Sequence, residues 1–162
     1  FVDESHDRLI PQAPVVMISE QGKRFKPLAG PPGSVLATPI VGRGAAFADY
    51  DNDGAVDVAV TENCGPAHLW RATPPPGHWL TLELAGTAGN RDAIGTRLEM
   101  TAGPCKLTRY LTSGDSYLST GSARQTFRLA GQTTAHLRLT WPSGRVQELD
   151  LPAVDRIVRL VE

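Results

Sequence analysis

Apolar and polar side chains alternate with a period of two along most of this chain, the pattern of half-buried β-strands. Leu80, Leu82 and Leu84 interleave with Trp79, Thr81 and Glu83; Ile94, Thr96, Leu98 and Met100 repeat the pattern, and so do Ala135, Leu137, Leu139 and Trp141. Shorter strands are expected at Val15–Ser19, Val56–Thr61, Lys106–Thr112, Gln125–Leu129, Val146–Leu149 and Arg156–Val161, most of them bounded by Gly, Pro, Asn, Asp or Ser. No window holds an i, i+3, i+4, i+7 apolar face for three turns, so little helix is expected. Strands at this spacing with turn residues between them predict an all-β sandwich or barrel, or propeller blades.

Glycine (16) and proline (13) make up nearly a fifth of the 162 residues, above the roughly 12 % of average proteins, and so support many turns. The sharpest internal boundary is Thr73-Pro74-Pro75-Pro76-Gly77, where three prolines favour extended geometry and remove backbone donors. It divides an N-terminal segment, 1–72, from a better alternating segment, 78–162, with 73–77 as linker. Pro27 to Gly33 reads as a surface loop. No internal repeat is visible, although 1–72 has the makings of one copy of a unit repeated upstream. The start at Phe1, without methionine or a signal segment, suggests a processed product or a piece of a larger polypeptide.

Sixteen basic and 17 acidic residues give a formal charge of −1, which excludes a strongly basic nucleic-acid surface. No apolar run approaches the ~18 residues that span a membrane. Cys64 and Cys105 are too few for a disulfide scaffold or a zinc site; two idle thiols, a single bridge and reactive cysteine chemistry are the alternatives.

One constellation carries sharper chemistry. Asp49-Tyr50-Asp51-Asn52-Asp53-Gly54-Ala55-Val56-Asp57 places carboxylates at loop positions 1, 3, 5 and 9 and glycine at 6. Calcium takes six to eight oxygens at roughly 2.3–2.6 Å, and side chains at alternate positions of a tight turn can converge on one ion. The expected ligands are the side chains of Asp49, Asp51, Asp53 and Asp57 and the carbonyl of Ala55. Oxygen ligands without histidine disfavour zinc and copper. An EF-hand would need glutamate at position 12, where Val60 stands, and flanking helices, where Gly44–Ala48 and Val56–Val60 look like strands. The competing reading is a solvated acidic turn, since Asp, Asn and Gly favour turns anyway. The charge sum also changes meaning, because without the four loop aspartates 16 basic residues face 13 acidic ones. The loop carries −4 on a mildly basic body, and one bound calcium would bring the total to +1.

These residues carry a family resemblance. Gly42-Arg43-Gly44-Ala45-Ala46-Phe47-Ala48 followed by the Asp49–Asp57 loop resembles an FG-GAP/VCBS-type repeat, the unit of calcium-bearing β-propellers in extracellular proteins. Gln21-Gly22-Lys23-Arg24-Phe25 resembles the hairpin that precedes such loops. The remainder is similar to the ASPIC/UnbV domain that follows such propellers in cartilage acidic protein and its bacterial relatives. The matching pieces are His78-Trp79-Leu80, Asn90-Arg91-Asp92-Ala93-Ile94-Gly95-Thr96-Arg97, Ser116-Tyr117-Leu118-Ser119 and Trp141-Pro142-Ser143-Gly144. The family's Phe-Gly-Leu-Gly stretch stands here as Phe127-Arg128-Leu129-Ala130-Gly131.

The resemblance implies one incomplete propeller-type calcium repeat followed by a β-sandwich or barrel-like ASPIC/UnbV domain, in a secreted protein, extracellular or periplasmic. A ring of blades needs several copies, and an isolated blade leaves open sheet edges, so a protein partner or upstream blades should cover them, in a homo- or hetero-oligomer or a longer chain. The expected function is non-enzymatic: a calcium-stabilised module for adhesion, filament assembly or service as an accessory subunit. The alternative is a pocket-forming part of a larger calcium-dependent propeller enzyme, whose mark would be a cleft with convergent titratable groups.

Other motifs read more simply. Asn90–Gly95 could orient Arg91 and Asp92 toward a ligand, or form a turn relaxed by glycine and held by an Arg–Asp pair. Trp141-Pro142-Ser143-Gly144 is a strand end followed by a turn, with Trp141 against the core. Gly114-Asp115-Ser116 superficially resembles an esterase nucleophile block but lacks the helix that should follow. His6, His68, His78 and His136 show no close pairing that suggests a metal site.

Overall fold

A computed structural model of the chain describes residues 2–3, 8–20 and 22–162; Phe1, His6 and Gln21 lie outside the described residues. The described residues form strands, one 3-10 turn at Val35–Ala37 and no α-helix. In the C-terminal half, β8 (His78–Ala85), β11 (Gln125–Ala130) and β14 (Arg156–Val161) make a three-stranded sheet in the order β11-β8-β14. β9 (Arg97–Ala102), β10 (Cys105–Tyr110), β12 (Ala135–Thr140) and β13 (Val146–Leu151) make a four-stranded sheet in the order β10-β9-β12-β13. All pairings are antiparallel except β14 with β8.

The alternation read from the sequence decides which face of each sheet is inside. Leu80, Leu82, Leu84, Phe127, Leu129 and Leu160 on one sheet meet Leu98, Met100, Ala135, Leu137, Leu139 and Leu151 on the other in a single buried cluster. Trp141 and Leu111 follow Thr140 and Tyr110, which both pair with Arg97, so they close one end of the core, both buried, and the Trp141 indole N–H donates to Gln147 at 3.1 Å. The arrangement is a sandwich of two open sheets. The Arg109 guanidinium ties them together on one side, 4.5 Å over the Phe127 ring and donating to the Thr126 carbonyl at 2.8 Å.

Strands begin and end close to their expected positions, with physical reasons for the differences. Ile94 and Thr96 sit before β9, because Ala93 and Gly95 take positive φ (54° and 97°) and turn the chain there. A bulge between Arg128 and Ala130 leaves Ala130 at φ 51°, so alanine holds a left-handed conformation where the family pattern has glycine.

The N-terminal half is built differently. β5 (Gly42–Ala48), β6 (Asp57–Glu62) and β7 (Ala67–Trp70) form an antiparallel sheet in that order. β3 (Val16–Glu20) and β4 (Arg24–Leu28) form a separate hairpin, and β1 (Val2–Asp3) pairs with β2 (Arg8–Leu9). β4 runs through Pro27, correcting the surface loop expected from that residue. Both strands of a two-stranded sheet are edge strands, where proline's missing N–H is tolerated. No closed sheet occurs among the described residues. Few apolar residues here are buried, chiefly Ile40, Val41, Ala55 and Val60.

Several contacts join the halves. Ser122 N–H donates to the Phe47 carbonyl at 2.9 Å, at the outer edge of β5. Gly54 packs so tightly on Trp79 that any side chain there would run into the indole. Arg128 donates to the carbonyls of Pro75 and, at 2.9 Å, Gly77, so the proline-rich segment is clamped against β11. Thr81 and Thr126, on the same side of the sheet as Trp79, are buried and hydrogen-bond each other at 2.8 Å.

Candidate metal centre

The acidic loop is the turn between β5 and β6, whose ladder ends at the pair Ala48–Asp57. Asp49 therefore leaves one strand as Asp57 enters the next, and Asn52 (φ 59°) and Gly54 (φ 84°) supply the left-handed residues that fold the intervening chain back. The carboxylates hold the loop through its own backbone. Asp49 accepts from the N–H groups of Asp53 and Gly54, each at 3.0 Å, and Asp53 accepts from Ala55 N–H at 2.9 Å. Asp57, only 2 % exposed, accepts from Tyr50 N–H at 3.2 Å and Ala72 N–H at 2.8 Å, joining the loop to the segment after β7.

Carboxylate oxygens of Asp49, Asp51 and Asp57 lie within 4.8 Å of one another. Asp53 stands outside this group and turns toward Arg71 (3.3 Å), and Ala55 is buried beneath the turn with its N–H bound to Asp53. Arg71 also pairs with Asp51 at 2.6 Å, and the two aspartates raise its pKa further above an already basic value. One Asp51 oxygen is thus taken by Arg71, while the other, Oδ1, is buried with no hydrogen-bond donor.

Such an oxygen costs free energy unless a cation or proton satisfies it. Each carboxylate oxygen has two lone pairs, so those accepting one N–H can accept a second partner. The donor set is all oxygen and the net charge is negative even with Arg71 counted. Asp49, Asp51 and Asp57 therefore fit a hard divalent cation such as calcium, and would hold it through carboxylates.

Arg71 escaped the sequence reading because β7 did. The signal was present: a four-residue turn, Asn63-Cys64-Gly65-Pro66, lies between Val56–Thr61 and Ala67–Trp70, and the pair Val58–Trp70 sets Arg71 beside Asp57. The remaining candidates serve local structure. His68, His78 and His136 each contact one carboxylate, those of Glu62, Asp155 and Asp150. His68 and the Val41 N–H hold the Glu62 carboxyl below its usual range. Cys64 and Cys105 are free and exposed. Asp115 accepts from Thr112 and Gly121 within a loop, and no helix follows Ser116. Trp141 is in the core and offers no stacking face. No described helix is long and apolar enough to cross a membrane.

Residues 86–162 match the family model described as ASPIC and UnbV, so the chain contains an ASPIC/UnbV domain there. The match takes in β9–β14 and their connections; β8, central to the same sandwich, and the acidic loop lie before it. No curated protein matches the chain.

Proposed function

We propose that this chain is a calcium-binding β module that works outside the cytoplasm by contacting other protein surfaces, and that it performs no catalysis itself. The observation that carries the calcium reading is the buried, donor-free Asp51 Oδ1 set among the carboxylates of Asp49, Asp51 and Asp57. The FG-GAP/VCBS-like loop spacing adds Asp53 and the Ala55 carbonyl to the proposed ligand set, and Asp53 would leave Arg71 to join it. Residues 1–72 are then one propeller-type repeat of a longer or partnered ring, attached to the ASPIC/UnbV domain.

Support for a contact function comes from the β3–β4 hairpin. Val16, Met17, Ile18, Phe25 and Leu28 are all exposed on it, and such a two-stranded ribbon is marginal in water unless something packs on it. A preceding blade or a separate protein would cover it. The location follows from affinity: with Arg71 already neutralising part of the loop, calcium should bind in the range of extracellular modules, about 10⁻⁴–10⁻³ M, which fills only where calcium is abundant.

Isothermal titration of the chain with calcium tests the reading. One saturable site per chain, lost in Asp51→Asn, is expected. Absence of binding at millimolar calcium would remove the proposal.

A further inference from the structure

We infer that a shallow depression on the outer side of the ASPIC/UnbV sheet binds an oxyanion, the carboxylate, sulfate or phosphate group of a ligand. The depression has a volume of about 320 Å³, and three arginines from separate parts of the chain line it: Arg91, Arg124 and Arg159. Two carboxylates, Glu83 and Asp92, stand among them. Three guanidinium groups against two carboxylates leave one positive charge in excess.

The distribution matters more than the sum. Glu83 is shared, with Arg124 at 3.0 Å on one oxygen and Arg159 at 3.8 Å on the other. Arg91 has no side-chain hydrogen bond or ion pair among the described residues, and neither does Asp92. The Arg91–Asp92 pair, one explanation of this turn at the sequence level, is not formed. Arg91 therefore presents a complete guanidinium fork, the geometry that takes a carboxylate or phosphate through two parallel hydrogen bonds.

The backbone that carries Arg91 is held in place, so the base of this side chain is set beside the depression before a ligand arrives. Gly86 N–H donates to the Arg91 carbonyl at 3.0 Å, and Asn90 clamps Ile94 twice, accepting at 2.6 Å and donating at 2.8 Å. Ala93, wholly buried, sits at φ 54°, a conformation alanine adopts only when its surroundings impose it. Across the depression, Arg124 is fixed by Glu83 and by Asn52 (3.5 Å). Arg124 is thus ordered before a ligand arrives, while the Arg91 side chain is ordered by the ligand itself, so binding is expected to be modest.

The test uses the full chain stripped of calcium with EDTA and then dialysed into chelator-free, calcium-free buffer, which leaves the calcium reading outside the result. Sodium sulfate and sodium succinate are titrated against sodium chloride at matched ionic strength, by thermal shift and calorimetry. Saturable binding of sulfate, succinate or both is expected, with Arg91→Ala weakening it by at least about tenfold and Arg91→Lys by less. Preference between the two anions tells a sulfate-like from a carboxylate source. Because the Arg91 side chain makes no hydrogen bond or ion pair among the described residues, Arg91→Ala should melt like the wild type without ligand. Stabilisation equal to that by chloride, or retained in Arg91→Ala, would overturn the inference.

Discussion

Two phenylalanines, each on a β-strand of an antiparallel pair, show how differently the halves of this molecule are held. Phe127 on β11 is 0 % exposed inside the sandwich, whereas Phe25 on β4 is 69 % exposed on a hairpin with no second layer. The same side chain gains its full burial free energy in one place and only a minor part of it in the other. The C-terminal half is thus a domain with its own core. The N-terminal half is a set of ribbons held by turns, by ladder hydrogen bonds and by the acidic loop, which is where a metal has most to contribute.

The comparison can be broken most severely by truncating the two rings. Phe127→Ala should cost about 3–5 kcal/mol, and Phe25→Ala should stay within about 0.5 kcal/mol, both read from denaturant midpoints. A large loss in Phe25→Ala would mean that the hairpin is packed after all. Next comes the joint between the halves. Gly54→Ala places a methyl group into Trp79 and strains a residue at φ 84°, so a loss of about 1–3 kcal/mol is expected. A neutral result would show that the loop does not dock on the sandwich.

A smaller effect concerns the proposed metal site. Arg71 places a positive charge on the outer oxygen of Asp51 but is largely exposed, so solvent screens it. Arg71→Ala should tighten calcium binding by about twofold to tenfold in calorimetry, and more at low salt. Weaker binding would instead make Arg71 a positioning residue for Asp51. The smallest effect is expected at the bulge in β11. Ala130→Gly relieves a left-handed alanine, worth about 1–2 kcal/mol, but gives back part through a more flexible unfolded chain, so a net gain of up to about 1 kcal/mol is expected in thermal melting.

The sandwich was legible in the sequence because apolar and polar residues alternate along most of its strands. Leu80-Thr81-Leu82-Glu83-Leu84 states by itself which side faces the core. The register of the acidic loop was legible too, since spacing and glycine placement are local properties. What escaped was non-local or carried no burial. β7, Ala67-His68-Leu69-Trp70, is too short to show a period, and with it went Arg71. The hairpin β3–β4 is apolar on both sides, so alternation could not say what it packs against. The depression at Arg91 depends on β14 lying parallel to β8, which places Arg159 opposite Glu83, a pairing no local pattern encodes.

The central claim, that the acidic loop is a calcium site that stabilises the chain, is tested most directly by paired thermal melts in EDTA and in calcium at about one hundred times the dissociation constant. Binding at that excess contributes about 2.7 kcal/mol, which for a chain of this length corresponds to a rise of about 5–11 °C. The account predicts that rise in the wild type and its loss in Asp51→Asn. Melts that coincide with and without calcium would contradict it.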